Sequence, residues 1–209
     1  GAIDNGIGSF SVLDMARTFA ALNLRPSRTV EFVMFMGEEE GLLGSKAYIE
    51  AAKKDKSIDQ IRYMFNYDMT NDPKGFSTSS EGSRALFQSI GAIANKIDTN
   101  FKNSLSVGAG LHSDHQPFML QGIPTGGGSG GGLPNGAGPC YHADCDGFNL
   151  VDEKGMKNTV RYGAMLLYGE ADATEIKSKH LTDKETKQYI IDRNLKEALQ
   201  IAGDWRWKD

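Results

Sequence analysis

Apolar residues recur along the chain at two different periods. Between residues 8 and 23, Phe10, Leu13, Ala16, Phe19, Ala20 and Leu22 are spaced mostly by three and four, which predicts a helix with one buried stripe. Arg25 and Pro26 end it. Residues 29–36, Thr-Val-Glu-Phe-Val-Met-Phe-Met, are β-branched and aromatic almost without a break, the pattern of a strand buried on both faces. The run stops at Gly37 and the triplet Glu38-Glu39-Glu40, and a second helix is expected from about Leu42 to Lys54. Another core strand is expected over 61–69, ending at Asp68. Helical spacing returns over 83–97, 152–168 and 183–202, and a short helix is expected over 114–121. Ile123-Pro124 opens a further extended piece. Strands alternating with helices predict an α/β fold, a mostly parallel mixed sheet covered by helices on both faces. In such folds functional groups gather beyond the carboxyl ends of the strands.

Composition changes this picture in three places. The 209 residues suffice for one domain with a sizeable core. A net charge of −4 speaks against a nucleic-acid partner, which needs clustered Lys and Arg. No run approaches 18 apolar residues, so no membrane span is expected. Glycine is in excess, with eight glycines between Thr125 and Gly138 alone. No Gly-Lys-Ser/Thr follows that run, so it is not a phosphate loop, and composition by itself favours a flexible linker. The opening string Gly1-Ala2-Ile3-Asp4-Asn5-Gly6 has no Met and reads as a turn, as expected of a fragment or processed product. The last stretch is rich in Lys, Glu and Asp and is followed by Trp205 and Trp207, which suggests a C-terminal extension packed on the surface. His180 lies in that charged stretch and is expected to be solvated.

The candidate chemistry sits at element ends: Asp4, Glu38, Glu39, Asp68 and His142. Singly, each has a plain explanation. Asp before Asn-Gly suits a turn, Glu38–Glu40 suit a helix N-terminus, and Asp68 suits a cap. Together, carboxylates at adjacent strand ends repel one another unless a cation neutralises them. A mixed carboxylate and imidazole set suits zinc or a similar divalent metal.

Five ordered motifs carry a resemblance. They are Gly1-Ala2-Ile3-Asp4-Asn5-Gly6-Ile7-Gly8, Glu38-Glu39-Glu40-Gly41-Leu42-Leu43-Gly44-Ser45, Asp68-Met69-Thr70, Ser113-Asp114-His115 and Tyr141-His142-Ala143-Asp144-Cys145-Asp146. In order and spacing the chain resembles the zinc-dependent aminopeptidases of peptidase family M28, of the secreted bacterial type, from residue 1 to about 168. The resemblance implies a catalytic domain over 1–170, lacking its N-terminal portion, with 171–209 as a C-terminal helical extension of the same domain.

The resemblance also implies roles. Asp4 corresponds to the carboxylate bridging two zinc ions, Glu39 and His142 to ligands of one of them, and Asp68 to a ligand of the other. Gly41-Leu42 sets the register that leaves Glu40 a bystander and makes Glu38 the general base. Tyr141 corresponds to a hydrogen-bond donor to the tetrahedral oxyanion, with simple packing as its other reading. Cys140 and Cys145 correspond to a disulfide beside the ligand histidine, or else remain reduced or bind metal as thiolates. A disulfide would imply an oxidising compartment, extracellular or periplasmic. Ser113, Asp114 and the Gly122–Gly127 segment, with Gly126, correspond to the site wall and substrate pocket, and His112 and His115 are not metal ligands.

The implied function is a metal-dependent exopeptidase that hydrolyses N-terminal residues from peptides with a metal-bound hydroxide and a Glu general base. The family's further His-x-Asp ligand lies upstream of the Gly-Ala-x-Asp string, so this chain is expected to hold at most one zinc tightly and to be weakly active or inactive. The missing part is also expected to carry the first strands of the sheet. Other readings are a dipeptidase or carboxypeptidase-type member, glutaminyl cyclase with one zinc, and a non-catalytic receptor-like relative.

Overall fold

A computed structural model describes residues 1–134 and 136–208; Asn135 in the glycine run and Asp209 at the end of the extension lie outside the described residues. Helix α1 spans Ile7–Ala21 and α2 spans Leu43–Asp55. Then come β1 (Met64–Phe65), β2 (Gly75–Thr78), α3 (Arg84–Ile97), β3 (Ser104–Val107), α4 (His115–Met119) and β4 (Thr125–Ser129). Helices α5 (Glu153–Asp172), α6 (Asp183–Asp192) and α7 (Lys196–Ile201) follow. The four strands form one sheet in the order β1-β4-β2-β3. Two of the three pairings are parallel, and only β2 with β4 is antiparallel. This is the α/β, mostly parallel sheet that the alternating pattern predicts.

Side-chain alternation along β1 divides the core between the two faces. Tyr63 and Phe65 pack with Phe76, with Phe87 and Ile90 of α3, and with Tyr162 and Leu166 of α5. Met64 points the other way, to Ile49 of α2, Phe118 of α4 and Ile123. Helices therefore cover both faces. Met15 and Phe19 bring α1 against Tyr67 and Ala164 of α5.

Several expectations are corrected. Residues 29–36 are extended but are not a strand. No backbone–backbone hydrogen bond is made by residues 29–35 among the described residues. The N–H groups of Met64 and Asn66 donate to the carbonyls of Pro124, just before β4, and Gly126 within it, so the opposite edge, with Tyr63 and Phe65, faces away from the ladder. Between that edge and residues 29–35 lies a cavity of about 640 Å³, lined by both. Apolar β-rich sequence reports a tendency to be buried in a sheet, not the presence of a neighbour to pair with. For the same reason the strand expected over 61–69 shrinks to Met64–Phe65, the residues in register with Thr125 and Gly126 of β4.

The helix expected over 183–202 is two helices, broken at Arg193–Leu195, with Asn194 in the left-handed region (φ 59°). Its start carries a capping box, Thr182 with Glu185. His180 is half-buried and its Nε2 meets the carbonyl of Ile61, not solvent.

The glycine run is not simply a linker. Its first part is β4, and Gly126 pairs there with Phe65 and Thr78. A Cβ at Gly126 would sit 2.2 Å from the carbonyl oxygen of Ser77. Gly126 is thus a close-packing position inside the sheet. Gly128–Gly132 instead line a small cavity beside Asp68.

Candidate metal centre

The chain ahead of α1 folds into a single wide turn, Ala2–Gly6, in which Asp4 leaves helical geometry (φ −111°, ψ 97°). Two side chains hold it there. The carboxylate of Asp146 accepts the N–H groups of Ile3 (2.8 Å) and Asp4 (2.9 Å). Burial alone would raise its pKa, but these bonds and the Gly1 ammonium outweigh burial and hold it down to about 2. Asn5 Nδ2 donates to the carbonyl of Tyr67 (3.1 Å), and its Oδ1 accepts from Gly8 (3.2 Å) and Met69 (2.9 Å). Asn5 therefore stitches the turn to the segment after β1, between Tyr67 and Met69, and so sets Asp4 beside Asp68. The approach needs glycine at position 8, where a Cβ would lie 2.0 Å from the Tyr67 oxygen.

Glu38 and Glu39 sit on the turn between residues 29–36 and α2. Gly37 (φ 68°) and Gly41 (φ 103°) supply its left-handed bends, and the Glu38 carbonyl accepts from Gly41 and Leu42. His142 lies in the left-handed region (φ 52°) between Cys140 and Cys145, which are joined by a disulfide. The Tyr141 ring stacks on it, with centroids 3.8 Å apart.

These segments bring three ligands together. His142 Nε2 lies 3.1 Å from Asp4 Oδ2 and 3.4 Å from Glu39 Oε2. One donor atom from each falls within 4.8 Å of the others. The Asp4 side chain is 11% exposed, whereas Glu39 and His142 are half-exposed, so the group opens to solvent on one side. Asp68 is not in this triad. Its Oδ2 accepts from Ser113 Oγ (2.7 Å), which in turn accepts from Asn66 Nδ2 (2.7 Å).

The acids strain one another electrostatically. Burial, then the charges of Asp68 and Glu39, push Asp4 above the usual carboxylate range, with His142 and the amino terminus acting against them. Burial, then Asp68, Glu39, Asp114 and Asp4, push Glu38 up to about 7. Burial, with Asp68 adding to it, raises Asp114 as well, against a hydrogen bond from Ser45. Burial lowers His115, which contacts the Gly110 carbonyl. A divalent cation on Asp4, Glu39 and His142 would relieve this crowding. Two carboxylates and an imidazole are also ligand types that zinc accepts. The donor set therefore fits the metal that the resemblance implies.

Sequence reasoning singled out the carboxylates and the histidine but not their supports. Asn5 was hidden by its suitability for a turn, and Asp146 stood in a quoted motif with no role attached to it. The separation from Asp4 to Asp146 gives no local signal of their contact.

Fold and site together define an α/β protein with a candidate divalent-metal centre built from its turns and loops. Comparison with known proteins narrows the class. The model of peptidase family M28 matches residues 1–167, and the chain belongs to that family. Leupeptin-inactivating enzyme 1 of Streptomyces exfoliatus is 30% identical over 181 residues, covering 75% of this chain and 38% of that protein. Aminopeptidase YwaD of Bacillus subtilis is 35% identical over 132 residues, 60% of this chain and 28% of that one. Among solved structures, BSAP, a zinc aminopeptidase from Bacillus subtilis, superposes with a TM-score of 0.65 at 26% identity. That superposition covers 88% of this chain and 46% of BSAP. The chain thus spans less than half the length of these relatives.

Proposed function

We propose that this chain carries the metal centre of an exopeptidase that removes N-terminal residues from peptides. The observation that carries the reading is the convergence of Asp4, Glu39 and His142 from three distant segments on one point. In this reading these three hold one zinc, and Asp4 with Asp68 faces a second. Bound zinc would supply Lewis acidity toward a peptide carbonyl and toward water. The chain's own groups do the rest. Glu38 stands beside the ligands without being one, and its raised pKa suits a group that takes a proton from water and returns it to the leaving amine. The phenol of Tyr141, stacked on His142 and 53% exposed, would be free to donate to the oxyanion of a substrate carbonyl.

Among the described residues Asp68 joins no group of three ligand-bearing side chains, so the chain by itself is expected to bind one zinc tightly and to turn over slowly. The disulfide beside His142 supports a place in an oxidising compartment, extracellular or periplasmic. Trp205 and Trp207, this chain's two tryptophans, pack on the cluster of Leu120 and Leu199, so neither supplies the tryptophan wall that a glutaminyl cyclase would use. Assays with zinc on aminoacyl-nitroanilides, N-terminally blocked peptides and peptides beginning with Gln separate the readings. Hydrolysis of the first alone is expected. Turnover only of blocked peptides, or cyclisation of Gln, would overturn the aminopeptidase assignment.

A further inference from the structure

We propose that Asp204, in the tail after α7, is a positioning residue for the metal centre, acting through Gln116 and Lys46; the inference rests on the metal-binding reading above. Both oxygens of Asp204 are engaged. Oδ1 lies 2.8 Å from Lys46 Nζ in the first turn of α2, and Oδ2 accepts from Gln116 Nε2 in α4 at 2.7 Å. These helices directly follow the two turns that build the site. The α2 turn carries Glu38 and Glu39, and the α4 turn carries Ser113 and Asp114.

The Gln116 link has a direction. Its side chain is buried, with the residue 2% exposed, and its Oε1 accepts the N–H of His112 (3.0 Å). Its backbone N–H donates to the Ser113 carbonyl (2.9 Å). His112 is held in the left-handed region (φ 66°), an uncommon conformation for a residue with a Cβ, so its N–H bond matters to the turn. A glutamine amide can flip, exchanging oxygen for nitrogen. An ionised Asp204 only accepts, so it fixes Nε2 toward itself and leaves Oε1 for His112. The next residue, Ser113, donates to Asp68 Oδ2 at 2.7 Å. Orientation thus passes from Asp204 through Gln116 and the 112–113 turn to Asp68, a ligand candidate. The tail is itself anchored. Asp204 N–H donates to the Leu199 carbonyl (2.8 Å), and Arg206 Nε donates to the Leu120 carbonyl (3.1 Å).

The family model ends at residue 167, and the brace lies beyond it. The test is amide hydrogen exchange on the metal-free 209-residue chain together with zinc titration of the same samples. Asp204→Ala is expected to speed exchange at His112 and Ser113 roughly 5- to 10-fold, the loss of about one hydrogen bond's protection. Through the Lys46 link to the helix that follows the Glu39 turn, it is also expected to weaken zinc binding several-fold, less than the roughly 10- to 100-fold of a direct outer-shell loss. Exchange in α3 serves as the control for folding and is expected not to change. Asp204→Asn can turn either its oxygen or its amide toward Gln116 and is expected to restore only part of the protection. Gln116→Leu deletes the link while keeping apolar volume, and reads it from the other side should Asp204→Ala unfold. Unchanged exchange at His112 in folded Asp204→Ala and Gln116→Leu overturns the proposal. A wild-type chain that takes up no zinc would defeat the metal reading, whereas the exchange data would still decide the brace.

Discussion

Glu38 and Glu39 are neighbours of the same type, and surroundings alone separate their roles. Glu39 reaches His142 at 3.4 Å and so is a ligand candidate, whereas Glu38 is held among other acids with its pKa raised to about 7. Glu38→Gln is accordingly expected to leave zinc uptake intact and to lower peptide hydrolysis by about 10²- to 10⁴-fold, the usual contribution of a general base. Loss of zinc binding in that variant would make Glu38 a ligand instead. A second acid titrates far from the metal centre. Glu170 of α5 is 4% exposed, and burial pushes it up to about 7 against the pull of Arg28, Arg62 and the Ser178 hydroxyl. A carboxyl raised in the folded state costs nothing in acid, and its penalty grows as pH climbs from the unfolded value through 7. Glu170→Gln is expected to stabilise the chain by about 2 kcal/mol more at pH 8 than at pH 5, measured by urea unfolding. An equal effect at both values would show that Glu170 does not carry a raised pKa. At this scale the sequence was most legible for the groups that carry charge. Asp4, Glu39 and His142 stand together as their motifs imply, while Asn5 and Asp146, which hold Asp4 in place, gave no sign because their bonds join distant segments.

Among the elements, the helices were legible within a few residues, because a helix satisfies its own backbone and its buried stripe is written in local spacing. Strands depend on a neighbour. The run 29–36 has every local mark of a buried strand and yet pairs with nothing among the described residues. Amide exchange should separate the two kinds of extended segment. Residues 29–35 are expected to exchange close to the rate of an unstructured peptide, while β2 and the core of β4 stay protected. Slow exchange across 29–35 would mean that they find a ladder partner in solution. The glycine run teaches the complementary lesson. Composition favoured a linker, but close backbone approach to Ser77 and Asn66 is what glycine serves at positions 126 and 127.

Over the whole molecule, the site is assembled from the turn before α1, the turn before α2, the segment after β1 and the disulfide loop near Tyr141. The C-terminal tail clamps α2 and α4 behind it. None of the local segments is a metal site alone, and the account requires the folded chain to make one. Isothermal titration with zinc of the wild-type chain and of His142→Ala tests this most directly. The account predicts close to one tightly bound equivalent in the wild type and loss of that event in the variant. Undiminished zinc affinity in His142→Ala, with the fold intact, would contradict it.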